Sequence, residues 1–182
     1  MRENHLITLR PVNFEDLEML TKWNFDPDIS KYFSQRPEND YNQQVKWLQN
    51  LLQSETKRKF IIIDNETSIP IGIIGYMHID SNNRNAEIGI TVGNKNYWGK
   101  PHSKEALNAC LQFGFEELNL HIIYSRVFEN NLRAIRFFEK ARFTTDGIKR
   151  DCFFKENEFI SSVELSLTAD EFVIMHQDEE EE

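Results

Sequence analysis

A chain of 182 residues, 40% hydrophobic and 28% charged, is long enough to bury one core and too short for two, and its composition is neither fibrous nor disordered. The formal net charge of -9 argues against nucleic acid as a partner, because phosphate binding leaves a basic footprint. Two cysteines without ligand spacing, Cys110 and Cys152, fit a reducing compartment and argue against a disulfide scaffold or a structural zinc site.

In chain order, the N-terminus MRENHLITLR has no apolar leader and no later run approaches the ~20 residues that span a bilayer, so a cytoplasmic protein with no membrane association is expected. His5 to Leu9 reads as a strand. Asn13 and Asp16 then make a capping-box signal for a helix carrying Phe14, Leu17, Leu20 and Trp23 at helical spacing. A second helix is expected from Asp40, with Tyr41, Val45, Leu48 and Leu52 as its apolar stripe. From Phe60 the period changes to that of strands: KFIII, Pro70 to Ile79 and Ala86 to Val92, separated by the turns DNET and DSNNRN, predict an antiparallel meander.

Helical pattern returns from Lys104 to Leu118, with Ala106, Leu107, Cys110, Leu111, Phe113 and Leu118 as its apolar face. His121 to Val127 is a strand and Asn131 opens a short helix to Lys140. Strands around Ile148 to Phe154 and Phe159 to Leu167 close the body. In the last of these Val163, Leu165 and Leu167 alternate with Ser162, Glu164 and Ser166, so one face is wet. Five of the negative charges fall in Asp178 to Glu182. Residues 1–172 are therefore expected as one domain and 173–182 as an acidic, disordered tail. The element order predicts an α/β fold: a mixed, mostly antiparallel twisted sheet of about seven strands flanked by about four helices.

The stretch AEIGITVGNKNYWGKPHSKEAL joins a strand, a glycine-containing loop and a helix start, where main-chain N–H groups and the helix dipole can hold a diphosphate. Together with VFENNLRAIRFFEKARF and the opening LRPVNFEDLEMLTKWNFDPDISKYF, it resembles the GNAT superfamily of N-acetyltransferases. The similar branch contains the ribosomal-protein alanine, polyamine and amino-sugar-nucleotide enzymes. The resemblance implies acetyl-CoA as acyl donor, no metal, a small-molecule or peptide primary amine as acceptor, and transfer by direct attack in a ternary complex. Relatives in this branch are often dimers, and the alternating last strand leaves an edge that a second subunit of a homodimer could cover. The resemblance places the amides of Ile90, Thr91 and Val92 beside the pantetheine arm and the diphosphate on Trp98, Gly99, Lys100, Pro101, His102 and Ser103. Asn131, Ala134, Phe137, Phe138 and Lys140 belong to the adjoining helix.

Three departures from that pattern stand out. Pro101 removes an N–H where a glycine is usual, although proline suits the first turn of a helix. Phe138 takes the place of a tyrosine that protonates the departing thiolate. Arg142 replaces the glycine after the helix, which predicts a different chain path there. Proton removal from the amine falls to Glu87 or to His78, set against the alternative of a surface carboxylate and a structural histidine. The aromatic residues Tyr76, Tyr97 and Trp98 line an acceptor pocket or pack the sheet. A non-catalytic binding module that keeps the fold is the competing expectation.

Overall fold

The computed structural model describes residues 5–33 and 40–180. Its strands are β1 (Ile7–Pro11), β2 (Arg58–Asp64), β3 (Pro70–Asp80), β4 (Asn85–Val92), β5 (Ile122–Phe128), β6 (Thr144–Lys155) and β7 (Glu158–Thr168). They form a seven-stranded sheet in the order β1-β2-β3-β4-β5-β7-β6. Six α-helices accompany them among the described residues: α1 (Leu17–Phe25), α2 (Pro27–Ser30), α3 (Tyr41–Leu52), α4 (His102–Gln112), α5 (Leu132–Lys140) and α6 (Ala169–Glu180). The sheet is mostly antiparallel, as the strand periods predict. The β4–β5 pair is parallel, from Asn85↔Ile122 to Glu87↔Tyr124, and a parallel pair needs a long crossover, which α4 supplies.

The chain divides into two compact units, one of residues up to Met77 with Gly89–Cys110, the other of His78–Ile88 with everything from Leu111. In the first unit the core is Val12, Leu17, Leu20, Leu48, Leu51 and Ile61, with Trp23, Val45 and Ile73 packed against it. Asn13 closes a full capping box with Asp16, but over a single 3-10 turn that precedes α1. The α3 stripe differs from the expected one. Gln44, Leu48 and Leu51 are buried, while Tyr41 and Leu52 are exposed. Gln44 can lie inside because its Oε1 accepts from the Asn24 amide at 3.0 Å, so a polar residue takes an inward position that a count of apolar side chains misses.

In the second unit β5 pairs with β7 over its whole length, and β7 pairs on its other side with β6. The last strand is therefore internal, and β6 is the terminal strand of the order, which corrects the expectation of an edge at β7. The predicted alternation holds from Val163 to Leu167, with Glu164 and Ser166 partly exposed between buried neighbours, but Ser162, expected on the wet face, is fully buried; the alternation marks a difference between faces and not an open edge. α4 begins two residues before its expected start and passes into a π-helical turn, Phe113–Glu117, ending where Leu118 donates to Phe113 at 3.1 Å.

Residues 173–180, expected in the tail, continue α6. The helix starts on a box in which Glu171 Oε2 accepts from the Thr168 amide and hydroxyl, each at 2.8 Å, and Phe172, 5% exposed, packs on Phe115 with ring centroids 4.9 Å apart. A cap and one aromatic anchor suffice to start a helix that charge counting assigns to a tail. Glu181 and Glu182 lie outside the described residues. Among the described residues no helix is long and apolar enough to cross a membrane.

Candidate active site

In the first unit the loop between β4 and α4 is held at several points. The Trp98 indole donates to the Val92 carbonyl at 2.9 Å. The Asn94 amide donates to Ile71 at 3.0 Å. Lys95 pairs with Asp26 at 2.8 Å and Asp28 at 2.6 Å, and Trp23 lies across Gly93. Beneath the loop Asp64, buried at the end of β2, accepts from the Thr67 hydroxyl and amide and from the Tyr97 hydroxyl at 2.9 Å, and meets His102 Nε2 at 3.2 Å. These bonds, the Thr67 hydroxyl first, hold the carboxyl of Asp64 down at about 2. The His102 ring also stands edge-on to Tyr97, centroids 4.9 Å apart. The sequence puts His102 in the loop, leaves Tyr97 between an acceptor pocket and sheet packing, and gives Asp64 no role. The signal available was a carboxylate closing the apolar run KFIIID.

Gly99 has φ +78, and nothing lies within 4 Å of where its Cβ would stand. That combination leaves the main chain open to close approach by a ligand. Lys100 has its amide on the Tyr97 carbonyl at 3.2 Å and its ammonium over the Tyr97 ring at 4.5 Å. Pro101 immediately precedes α4, and its carbonyl accepts the Glu105 amide at 3.1 Å, so the ring interrupts no helical hydrogen bond. The amides of His102, Ser103 and Lys104 precede the first bond of the ladder, the usual state of a helix N-terminus. An open glycine followed by such amides fits a diphosphate. Ile90, Thr91 and Val92 lie in β4 just before this loop, and Thr91 O would approach within 2.5 Å of a Cβ on Gly72.

The second unit joins the two acid–base candidates. Glu87, on β4, is 7% exposed, and its Oε2 accepts from Arg126 at 2.6 Å and lies 3.0 Å from His78 Nδ1. Arg126, on β5, is the partner that sequence reasoning missed; its trace was a lone arginine in the apolar run HIIYSRVF. Glu87 holds that guanidinium charged, raising it above its ordinary range. His78 sits near the end of β3 with φ 52°, in the left-handed region, an outlier that often marks a functional position. Its side chain is 59% exposed, so the imidazole keeps one nitrogen on Glu87 and the other toward solvent. His78, Tyr124, Arg126, Lys149 and Glu164 line a cavity of about 400 Å³. Burial, with Glu87 next, pushes the Tyr124 phenol up, so it stays protonated.

On α5, Asn131 is the N-cap, its side chain accepting from the Ala134 amide at 3.3 Å. Phe138 is 3% exposed and forms an aromatic cluster with Phe137 and Phe143, at 5.5 and 5.0 Å between centroids. Lys140 is exposed in the last turn. Tyr76, expected at the pocket or in the sheet, is fully buried, its hydroxyl donating to the Cys110 carbonyl at 2.6 Å. Burial pushes the Cys110 thiol up to about 12, which leaves it inert. Cys152 packs against the Ser162 hydroxyl at 3.3 Å. Among the described residues no group of three or more His, Cys, Asp or Glu side chains is placed to hold a metal.

The family described as "Acetyltransferase (GNAT) domain" matches residues 7–144. An uncharacterized N-acetyltransferase, p20, of Bacillus licheniformis is 33% identical over 148 residues, 80% of this chain and 83% of that protein. The spermidine N(1)-acetyltransferase of Vibrio cholerae is 26% identical over 151 residues, covering 83% and 86%. Acetyltransferase PseH of Campylobacter jejuni is 24% identical over 146 residues, covering 78% and 85%. The crystal structure of the Vibrio cholerae spermidine enzyme with CoA and spermine superposes with a TM-score of 0.86 at 23% identity, over 93% of this chain and 99% of that one, which establishes the shared fold.

Proposed function

Because the chain belongs to the GNAT acetyltransferase family, we propose that it moves an acetyl group from acetyl-CoA to a primary amine by direct attack, with His78 taking the amine proton and Glu87 orienting His78. The observation that carries this reading is the shared Glu87 oxygen, 2.6 Å from Arg126 and 3.0 Å from His78. Glu87 is 7% exposed and its Oε2 is occupied by both Arg126 and His78, whereas the His78 side chain is 59% exposed and within reach of a substrate. With Glu87 accepting from Nδ1, the histidine keeps its Nε2 lone pair for a substrate proton, the arrangement in which a carboxylate fixes an imidazole's tautomer. His78 thus takes precedence over Glu87 as the base.

Acetyl-CoA supplies an electrophilic thioester carbonyl. The amides of Ile90, Thr91 and Val92 are the proposed donors to its oxygen, an aid that needs no side chain. The open main chain at Gly99, with the amides of His102 and Ser103 and the Lys100 charge, is the proposed seat of the diphosphate, while the Trp98 and Pro101 side chains shape the loop. Ala134 and Phe137 are proposed to flank the pantetheine arm. As the amine nitrogen bonds to the carbonyl carbon the C–S bond breaks. His78 receives the nitrogen's proton, and the thiolate, with a pKa of roughly 8.5, takes one from solvent, because the Phe138 ring has none to give. The acceptor is read as a small molecule or peptide, and catalysis as cytoplasmic.

The test is release of free CoA thiol over a panel of amines. His78→Asn keeps a residue that tolerates φ > 0 and should lower kcat by 10²-fold or more, in line with the usual weight of a general base. Glu87→Gln should fall less and shift the pH profile. Full activity of His78→Asn would remove His78 from the chemistry.

A further inference from the structure

Taking the acetyl-transfer reading as its premise, the charge pattern of the cavity points to an acceptor of one chemical class: we infer a primary amine that also carries a carboxylate or phosphate, anchored by Lys149, and not a polycation. The five lining residues lie on four strands, His78 on β3, Tyr124 and Arg126 on β5, Lys149 on β6 and Glu164 on β7, and Glu87 of β4 is bonded to Arg126. Both carboxylates are engaged. Glu87 serves Arg126 and His78. Glu164 accepts the Ser162 hydroxyl at 2.5 Å and stands directly opposite Arg126 in the β5–β7 register.

Arg126 therefore has a carboxylate on each neighbouring strand, whereas Lys149 forms no ion pair among the described residues. It stands on the terminal strand where the register with β7 breaks, between Lys149↔Ser162 and Phe153↔Ile160, and Asp151 within that break takes φ 50°. A bulge of this kind re-aims the side chains beside it. The two carboxylates balance the charges of Arg126 and Lys149. No surplus negative charge is left to hold the second and third ammonium groups of a polyamine, and Lys149 repels them. A single anionic group on the acceptor instead completes the set by pairing with Lys149.

The experiment measures CoA release with paired acceptors that differ in the anion: β-alanine against β-alaninamide, phosphoethanolamine against ethanolamine, and spermidine as the polycation. The wild-type protein is expected to use the anionic member of at least one pair with a kcat/KM at least tenfold above its neutral counterpart and above spermidine; which pair responds separates carboxylate from phosphate. Lys149→Glu should abolish that preference through KM with kcat little changed, and Lys149→Ala, which removes the charge without reversing it, should fall between. Equal use of both members of both pairs, preference for spermidine, or a ratio unmoved in both Lys149 variants overturns the anion assignment while leaving acetyl transfer standing. Thiol release from no acceptor at all overturns the transfer reading, and this inference with it.

Discussion

Arg142 shows how a single side chain is overruled by its surroundings. Its departure from glycine predicted an altered path, yet it adopts φ 66°. The turn is a complete Schellman motif: the Phe143 amide donates to Phe138 at 3.0 Å, the Arg142 amide to Glu139 at 2.9 Å, and the Phe138 and Phe143 rings make the accompanying apolar contact. The left-handed conformation is therefore imposed against a cost of about 1–2 kcal/mol for a residue with a Cβ. Arg142→Gly should raise stability by about 1 kcal/mol, read as a higher urea midpoint at unchanged m-value. Asp64 gives a pH signature. Its carboxyl is depressed from 3.8 to about 2, so its contribution is fully present above pH 3.8 and is lost as pH falls through about 2. Asp64→Asn should lower the melting temperature at neutral pH and make it fall less steeply between those two values than the wild type does, as followed by circular dichroism.

Among elements, the β4–α4 loop depends on how closely α1 approaches it. A Cβ at Gly93 would collide with Cγ, Cδ2 and Cε2 of Trp23, and Trp23 is packed against the core of Val12, Leu20 and Leu48, so it has little freedom to withdraw. Gly93→Ala should cost about 1–3 kcal/mol, the usual penalty for overpacking, and should weaken donor binding more than a stability-matched change elsewhere, because the same loop carries Gly99 and Lys100. Comparing Kd for CoA with the denaturation midpoint in one series checks both parts. Ile90 to Val92 are less exposed to such changes, since their main-chain groups are fixed by strand geometry.

For the whole molecule the measurable consequence is donor-linked stability. At a hundredfold excess over Kd, a ligand that binds only the native state adds about 2.7 kcal/mol, which for a chain of this size is a rise in Tm of roughly 5–10 °C. Acetyl-CoA and CoA should both produce it; a flat melting curve with either would count against the diphosphate seat. The sequence alone determined the seven strands, their order of appearance with α1, α3, α4 and α5, and the superfamily, because period-2 and period-3.6 patterns and the loop WGKPHS are local properties of the chain, whereas α2 and α6 were not among the expected helices. It also brought forward Glu87 and His78 by residue type. Only the tertiary structure decided that β7 is internal, that Gln44 turns inward, that a helix runs through residues expected in the tail, and that Asp64 anchors the β4–α4 loop. It likewise placed Arg126 on the same oxygen as His78. Each of these depends on partners distant in the chain, Arg126 lying 39 residues from Glu87, and the pairing of hydrogen-bond donors with acceptors across strands leaves no mark in any local pattern of apolar and polar residues.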